Sequence, residues 1–370
     1  MVDDIAQLTR ELVAIPSVTG STIALSAVVQ FVEQWFADTP QAVVRHYECN
    51  GRTSIVIGTH DTLTPVVALV GHLDVVPVAS TEMFAVREEE GLLYGRGVCD
   101  MKGSIAVMMI EMKSWLQSGL AVPISLILTT DEEVGGANGL RYLVEEVGYR
   151  PGVALIPDGG DDLGEIVIGT KGILHLKMTQ RGVPAHASRP WLGQNAIMSL
   201  MAEYESLAGR LTSGDPSCDW VDSWSVSTIS GGSAHNQVPD HAELTADIRF
   251  VEGRTVEDVV SRIQSVASCE VEILARGEAR YTSQDDPAIV RYVDVLKAHD
   301  IVPRFTKSHG TDDGRYLSAQ GVPVIVSQAR SGGHHSEGEW MDLASLAQYG
   351  TIIHDFIVAT IAEESKTVAE

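Results

Sequence analysis

The sequence predicts an α/β fold, in which a layered sheet with helices on both faces is interrupted by a smaller α+β domain. In the first third of the chain, near-continuous apolar runs alternate with segments of helical periodicity, as expected for buried strands covered by helices on both sides. From about Lys171 the order becomes β-α-β-β-α-β, that of a ferredoxin-like unit. After residues 284–287 the first pattern resumes, which predicts an inserted second domain.

The elements of the larger domain follow from apolar spacing in chain order. Helical spacing and continuous apolar runs predict alternating elements there: helices over 5–14, 23–36, 102–116, 288–299 and 343–363, and strands over 65–78, 124–129 and 323–327. Because this pattern flanks the insertion on both sides, the larger domain is expected to be discontinuous, comprising residues 1–170 and 284–370.

The inserted domain is expected over residues 171–283. Period-two alternation and helical spacing predict its elements: strands over 173–180, 223–229, 242–251 and 270–275, and helices over 195–211 and 256–266.

Composition restricts the classes of function. The 26 Lys+Arg against 50 Asp+Glu give a net charge of −24, and no basic run stands out, so nucleic acid is not an expected partner. Asp3 and Asp4 lie where a signal peptide would carry basic residues, and no apolar run is long enough to span a membrane, so we expect a cytoplasmic protein that does not bind membranes.

The four cysteines indicate neither a disulfide framework nor a thiolate metal site. They are Cys49, Cys99, Cys218 and Cys269, and they are far apart and form no C-x-x-C pair. Each is expected to be a small core residue or a free thiol.

Metal-competent side chains follow the apolar runs, where an open α/β sheet collects its ligands. His72 and Asp74 lie on the same side of the first strand, so the carboxylate can orient the imidazole for a metal. Asp100, in a glycine-rich turn before a helix, is either an N-cap or a ligand. Glu132 and Glu133 follow the next strand and point in different directions, so one can bind metal while the other serves as a base.

Two further clusters complete the set. Asp158 follows an apolar stretch, and the pair His334 and His335 follows the strand over 322–326. Each cluster alone is compatible with a solvated turn. Together, two imidazoles and several carboxylates at successive strand ends would repel one another unless cations were present, and two divalent ions roughly 3.5–4 Å apart would make the set favourable. Nitrogen and oxygen donors suit zinc, with cobalt or manganese as substitutes.

With these motifs, the chain resembles the co-catalytic zinc peptidases and deacylases, which include succinyl-diaminopimelate desuccinylase, acetylornithine deacetylase, aminoacylase and glutamate carboxypeptidase. The resemblance spans essentially the whole chain. It implies a zinc-peptidase-like catalytic domain, an inserted dimerisation or lid domain, a homodimer, and two zinc ions per subunit. It also implies ligand roles: His72 and Asp158 for one zinc, Glu133 and His335 for the other, and Asp100 bridging both.

The resemblance further implies the catalytic groups. Glu132 would be the general base and Asp74 the partner that orients His72. His335 is preferred to His334 because the family's ligand stands four residues before a glutamate, here Glu339. A water bridging two cations loses much of its proton affinity, so Glu132 can take its proton and the hydroxide can attack an amide carbonyl.

Several residues of the inserted domain and nearby loops resemble the family's substrate-handling positions. His186, between two prolines, resembles the histidine that reaches the other subunit's site, although the residues alone are equally compatible with a surface histidine. Asn236 and Arg249 resemble substrate-binding positions, and a surface ion pair is the alternative for Arg249. Thr311 and Gly333 complete the predicted substrate-binding set.

Different residues of the sequence favour two different substrate classes. The segment 308–315 resembles the desuccinylase substrate loop, which favours an N-acyl amino acid, but His309 and Asp312 depart from it by adding bulk and negative charge. Asp158 stands where desuccinylases usually carry Glu, whereas acetylornithine deacetylase and several small peptidases carry Asp. The expected activity is hydrolysis of an N-acyl amino acid, with a dipeptidase or carboxypeptidase of the same family as the alternative.

The sequence gives less support to two other classes of function. A serine hydrolase on an α/β sheet would need a G-x-S-x-G elbow, and the sequence has none. A metal-binding module without turnover would not need Glu132 beside Glu133.

Overall fold

The computed structural model describes residues 2–119, 122–215, 217 and 219–367. Within them the chain forms two compact units. Of these described residues, unit 1 comprises those within 1–168, 282–307 and 312–370, and unit 2 comprises those within 169–281 and 308–311. The predicted roles of these parts, catalysis for one and dimerisation for the other, stay predictions.

The first segment of the chain supplies most of unit 1. Its helices are α1 (Val2–Val13), α2 (Thr22–Trp35), α3 (Gly103–Ser118) and α4 (Leu140–Tyr142). Its strands are β1 (Val43–Cys49), β2 (Arg52–Gly58), β3 (Val67–His72), β4 (Arg87–Glu89), β5 (Leu92–Tyr94), β6 (Ile124–Thr129), β7 (Val153–Ile156) and β8 (Glu165–Thr170).

Unit 2 and the C-terminal segment supply the remaining elements. The helices are α5 (Ala196–Leu211), α6 (Val256–Val266), α7 (Pro287–Ala298), α8 (Gly314–Ser318) and α9 (Leu343–Thr367). The strands are β9 (Gly172–Arg181), β10 (Gly214–Asp215), β11 (Trp220–Val221), β12 (Ser223–Gly231), β13 (His241–Phe250), β14 (Glu270–Gly277), β15 (Arg280–Tyr281), β16 (Arg304–Ser308), β17 (Val324–Val326), β18 (Ser331–Gly332) and β19 (Trp340–Asp342).

A six-stranded mixed sheet organises unit 1, in the order β1-β2-β6-β3-β7-β17. Strands β6, β3, β7 and β17 run parallel, whereas β1 and β2 form an antiparallel hairpin at one edge. All six residues of β3 and of β6 are buried, which explains why these strands read as continuous apolar runs. Because the parallel strands end at the same edge, the residues that follow β3, β6 and β7 are brought together.

Helix α3 is buried around most of its circumference, from Gly103 to Leu116. It packs against α1, α9 and β6, and its apolar residues belong to the main core of unit 1. The loop that precedes this helix is therefore attached to an element that is packed into the main core of unit 1.

Unit 2 has a four-stranded antiparallel sheet in the order β12-β13-β9-β14, with α5 and α6 contributing to one core. This order and the observed β-α-β-β-α-β succession are those of the predicted ferredoxin-like unit. The α/β class with a second α+β part is confirmed.

One predicted strand differs from the structure, and one hairpin of the main sheet was missed. The strand expected over 65–78 is shorter in the structure: β3 ends at His72, Val75 forms an isolated parallel bridge with Val18, and Pro77 has no N–H for a ladder. The hairpin of β1 and β2 was not predicted, although its edge strand alternates between half-buried and exposed side chains.

Three of the four cysteines can be described. Cys99 is buried, Cys49 and Cys269 are half-buried, and all three are free thiols. Cys218 lies outside the described residues. Across the described ranges, no helix combines the length and the apolar character needed to cross a bilayer. The cytoplasmic location stays a prediction.

Candidate metal centre

His72 is the last residue of β3, a strand buried along its whole length. Its Nδ1 lies 2.9 Å from the backbone oxygen of Asp74, so the ring is held by the turn that ends the strand. This contact leaves Nε2 directed at neighbouring carboxylates. His72 is 2% exposed, and its ring orientation is therefore fixed by packing as well as by hydrogen bonding.

The Asp74 carboxylate has partners that the sequence did not indicate. It accepts hydrogen bonds from the backbone N–H groups of Glu132 (3.2 Å) and Glu133 (3.3 Å) and from the Thr19 hydroxyl (3.0 Å). Its own oxygen lies 3.5 Å from His72 Nδ1, farther than the backbone oxygen of the same residue. Asp74 therefore holds the loop of the two glutamates in place, and its carboxylate is not the closest partner of the imidazole.

Asp100 lies in the turn before α3 and does not cap that helix. Gly97 adopts a left-handed φ of 86°, which allows the chain to turn sharply there. The two Asp100 carboxylate oxygens point to different imidazoles: Oδ1 lies 2.9 Å from His72 Nε2, and Oδ2 lies 3.0 Å from His335 Nε2. This arrangement suits a carboxylate shared by two sites.

His335 comes from the loop between β18 and β19. Its Nε2 also lies 3.2 Å from Glu133 Oε2, while Glu133 Oε1 accepts the backbone N–H of Val76. Its φ of 59° is in the left-handed region, which non-glycine residues rarely adopt and which is often found at functional sites. The neighbouring His334 instead contacts Cys99 Sγ at 3.1 Å, so His335 is the ring that faces the carboxylates.

Asp158, two residues beyond β7, completes the cluster, with its Oδ1 4.0 Å from His72 Nε2. Two overlapping groups have ligand atoms within 4.8 Å of one another: His72 with Asp100 and Glu133, and His72 with Glu132 and Asp158. The structure thus brings together all five predicted ligands, and it places Glu132 among them.

Burial and mutual repulsion change the pKa values of these carboxyl groups. Burial, followed by the charge of Asp100, raises the pKa of Asp158 to about 8, and burial raises the pKa of Glu133 to about 7. Burial and the charge of Asp158 also raise the pKa of Glu132. Burial would raise the pKa of Asp100 as well, but hydrogen bonds from His335 and His72 outweigh it and lower that pKa.

This donor set fits divalent cations. Carboxylates crowded in a partly buried space resist ionisation, and a cation of charge +2 would remove that penalty. The donors are imidazole nitrogens and carboxylate oxygens, which zinc, cobalt and manganese all accept.

The residues predicted to handle substrate lie mostly in unit 2. His186 is exposed and its Nδ1 lies 2.8 Å from the Ser188 hydroxyl, and the backbone of exposed Asn236 accepts a hydrogen bond from Ala187. Arg249 makes two hydrogen bonds to Asp247, at 2.8 and 3.1 Å, so the alternative of an ion pair describes its contacts here.

The remaining two predicted residues lie in loops. Thr311 is half-buried and belongs to unit 2, and exposed Gly333, in unit 1, has a φ of 73° two residues before His335. Substrate binding by these residues stays a prediction.

Sequence reasoning missed three residues at the centre. Thr19 bonds to Asp74 but carries no motif that could have revealed it. Asp313 lines the same small cavity as His72, Glu132 and Asp158, and its position beside Asp312 in a predicted substrate loop was a usable signal. Glu339 was used only to choose between two histidines, yet it bonds to the backbone of Asp100.

Comparison with known proteins decides the family. The model of the peptidase family M20/M25/M40 matches residues 68–359, which is most of the chain. The chain belongs to this family. It is accordingly a metal-dependent hydrolase that acts on amide bonds.

Curated relatives of this family member have a common name. The chain is 30% identical over 289 residues to a succinyl-diaminopimelate desuccinylase of Acidiphilium cryptum, and the match covers 73% of this chain and 76% of the relative. It is 28% identical over 374 residues to the desuccinylase of Gluconacetobacter diazotrophicus, covering 95% of each chain.

Solved structures of the family share its fold. An aminopeptidase from Bacillus cereus matches with a TM-score of 0.76 and 17% identity, covering 98% of this chain and 99% of that one. A dinuclear metal-binding peptidase of the M20 family from Bacillus subtilis matches with a TM-score of 0.66 and 13% identity, covering 98% of both chains.

The position of Asp74 leads to a first prediction. In Asp74→Asn an amide donor replaces one acceptor and opposes the backbone N–H of Glu132 or Glu133, so the glutamate loop should shift. We expect zinc affinity, measured by isothermal titration calorimetry, to fall about 10- to 100-fold. Asp285→Asn, at an exposed position, is the matched control and should bind zinc as the wild type does. Wild-type affinity in Asp74→Asn would show that the loop does not depend on this carboxylate.

Proposed function

We propose that the protein is a two-zinc amidohydrolase that removes the acyl group from an N-acyl amino acid. The observation that carries this proposal is the convergence of two imidazoles and three carboxylates, from His72, Asp100, Glu133, Asp158 and His335, within one cluster. The desuccinylase names of the curated relatives support an acylated amino acid as the substrate class.

The proposed ligand assignment follows the contacts in the cluster. His72 and Asp158 would hold one cation, and His335 and Glu133 the other. Asp100 would bridge them, which its two separately directed oxygens favour. When bound, such a pair of cations supplies Lewis acidity that lowers the proton affinity of water and polarises an amide carbonyl.

Glu132 is the proposed general base. It lines the cavity shared with His72 and Asp158, and its backbone N–H is fixed by Asp74, so its position is set by the same turn that positions a ligand. Glu132 would accept a proton from the water that attacks the carbonyl carbon. It would return that proton to the amide nitrogen as the C–N bond breaks, which leaves a carboxylic acid and an amine; transfer of the acid proton to the amine then gives the carboxylate and the ammonium form.

The proposal includes a homodimer in which His186 of one subunit serves the site of the other. Two features of unit 2 support it. His186 is exposed, as a residue that acts on another chain must be. Strand β12 lies at the edge of its sheet with most of its side chains exposed, and an unpaired edge is a template for pairing with a second chain. His186 would donate a hydrogen bond to the oxyanion that forms on the substrate.

A dipeptidase or carboxypeptidase is the second candidate, favoured by one feature of the loop after Thr311. Asp312 is 4% exposed, and its charge is among the causes that raise the pKa of Asp158, so it adds negative charge near the proposed site. Negative charge there opposes a succinyl carboxylate and favours a substrate with a free amino group. A metal-binding module without turnover is the remaining alternative.

A panel of substrates tests the activity and separates these candidates. Metal-free protein would be assayed with succinyl-diaminopimelate, acetylornithine and a set of dipeptides, with zinc, cobalt or manganese added. We expect hydrolysis of an N-acyl amino acid that is lost with a chelator and restored by metal. Preference for dipeptides would support the second candidate. Tight metal binding without any hydrolysis would support the silent module, and unchanged hydrolysis under chelation would overturn the proposal.

The roles of adjacent glutamates give a further prediction. Glu132→Gln should lower kcat about 10²- to 10⁴-fold, because a positioned base is lost, while metal content remains that of the wild type. Glu133→Gln is the matched comparison and should lower the metal content itself. Elemental analysis after dialysis measures both. Loss of metal in Glu132→Gln would reassign Glu132 as a ligand. The experiment can distinguish the two roles because Glu132 lies within ligand distance of His72 and Asp158.

Complementation tests the role of His186. His186→Ala and Glu132→Gln should each be inactive alone, since each would lack one essential group at every site. After the two proteins are unfolded together and refolded, mixed dimers would contain one complete site, and about a quarter of wild-type activity should return. Light scattering would establish the dimer independently. Absence of recovery in a mixture shown to contain mixed dimers would contradict action across subunits.

A further inference from the structure

Glu339 is a fully buried carboxylate that lies outside the proposed ligand set. It is 0% exposed and precedes β19. Its Oε1 accepts the backbone N–H groups of Gly97 (2.8 Å), Cys99 (2.9 Å) and Asp100 (3.2 Å). Its Oε2 accepts a hydrogen bond from Arg96 Nη1 at 2.6 Å, and Arg96 is itself 3% exposed.

Every side-chain partner of Glu339 belongs to one short segment, residues 96–100. The main chain of Glu339 adds to this, because its backbone oxygen accepts the N–H of Gly95 at 3.2 Å. A buried charge is costly unless it is paired and hydrogen-bonded, and here one ion pair and three N–H donors supply that compensation. The contacts of the Glu339 carboxylate therefore hold this one segment, which includes the candidate ligand Asp100.

Glu339 and His335 lie in the same loop, the one between β18 and β19. A turn connects the two residues: the Ser336 N–H donates to the Gly333 oxygen, and the Gly338 N–H donates to the Ser336 hydroxyl. The loop thus contacts Asp100 twice, through His335 at a carboxylate oxygen and through Glu339 at the backbone N–H. The relative position of the two candidate ligands depends on both contacts.

We propose that Glu339 is a positioning residue that fixes the Asp100 carboxylate against His335 by accepting the three backbone N–H groups of the Gly97–Asp100 turn. The inference rests on the proposed function, in which Asp100 bridges two cations. Its role differs from that of a simple internal ion pair, because the three N–H contacts, and not the Arg96 contact, would set the geometry of the bridging carboxylate.

Paired double variants separate these two roles. Arg96→Met with Glu339→Gln removes both charges but keeps an oxygen that can accept the N–H groups. Arg96→Met with Glu339→Ala removes the charges and the acceptor. Glu339→Asp keeps the charge opposite Arg96 and withdraws the acceptor by one methylene. Glu337→Gln, on the same loop but exposed, is the control.

Zinc affinity by calorimetry and the melting temperature of the metal-free protein would be measured for each. We expect the double variant Arg96→Met with Glu339→Gln (the Met/Gln protein) to bind zinc nearly as tightly as the wild type. The double variant Arg96→Met with Glu339→Ala (the Met/Ala protein) and the single variant Glu339→Asp should bind zinc about 10- to 100-fold more weakly. The metal-free melting temperature of Glu339→Asp should fall, because buried N–H groups lose their acceptor, while the protein stays folded at the temperature of the titration, so its zinc affinity is measured on folded protein. Glu337→Gln should be unchanged in both measurements.

Equal zinc affinity in the Met/Gln and Met/Ala proteins, or wild-type affinity in Glu339→Asp, would overturn the inference. Failure of both double variants to fold would leave Glu339→Asp to decide, since it keeps the buried charges paired. A wild-type protein that binds no zinc would instead overturn the proposed function. The two failures are therefore distinguishable.

Discussion

The site depends on one electrostatic constraint: four acidic side chains and two imidazoles share a small and partly buried space. Asp100, Glu132, Glu133 and Asp158 cannot all be ionised there at low cost, as the raised pKa values of Asp158 and Glu133 show. A fold that builds such a cluster has forgone the hydrophobic contacts that ordinary core residues would provide. Cations of high charge are the partners that make this arrangement favourable, and the family assignment is consistent with that requirement.

The fold meets this constraint from two sides. The parallel strands β3 and β6 end at one sheet edge and deliver His72 and the glutamate pair, with Asp158 following β7. The other two candidate ligands come from loops outside the six-stranded sheet, so a separate device is needed to align them. Glu339 fills that need by accepting N–H groups of the Asp100 turn, and at the sheet edge Asp74 acts in a similar way on the loop of Glu132 and Glu133.

The positions of His72, Glu132 and Glu133 could be predicted because the end of a buried strand is marked in the sequence by a change from apolar to polar residues. The apolar runs predicted β3 and β6, and the polar residues after them predicted the cluster. The supporting contacts were not predictable, since they depend on backbone N–H groups that no side-chain pattern reveals. Asp74 was expected to orient the His72 imidazole, and the sequence did not indicate that its carboxylate also accepts two backbone N–H groups. Arg249 has a motif suited to a carboxylate substrate, and the nearest carboxylate is that of Asp247 in its own strand.

The central claim is that this cluster holds two cations, and anomalous diffraction from zinc-loaded crystals tests it most directly. Data collected on both sides of the zinc absorption edge should show two peaks roughly 3.5–4 Å apart. One peak should lie next to Nε2 of His72 and the other next to Nε2 of His335, with the Asp100 carboxylate between them. A single peak, or zinc bound away from these side chains, would contradict the account.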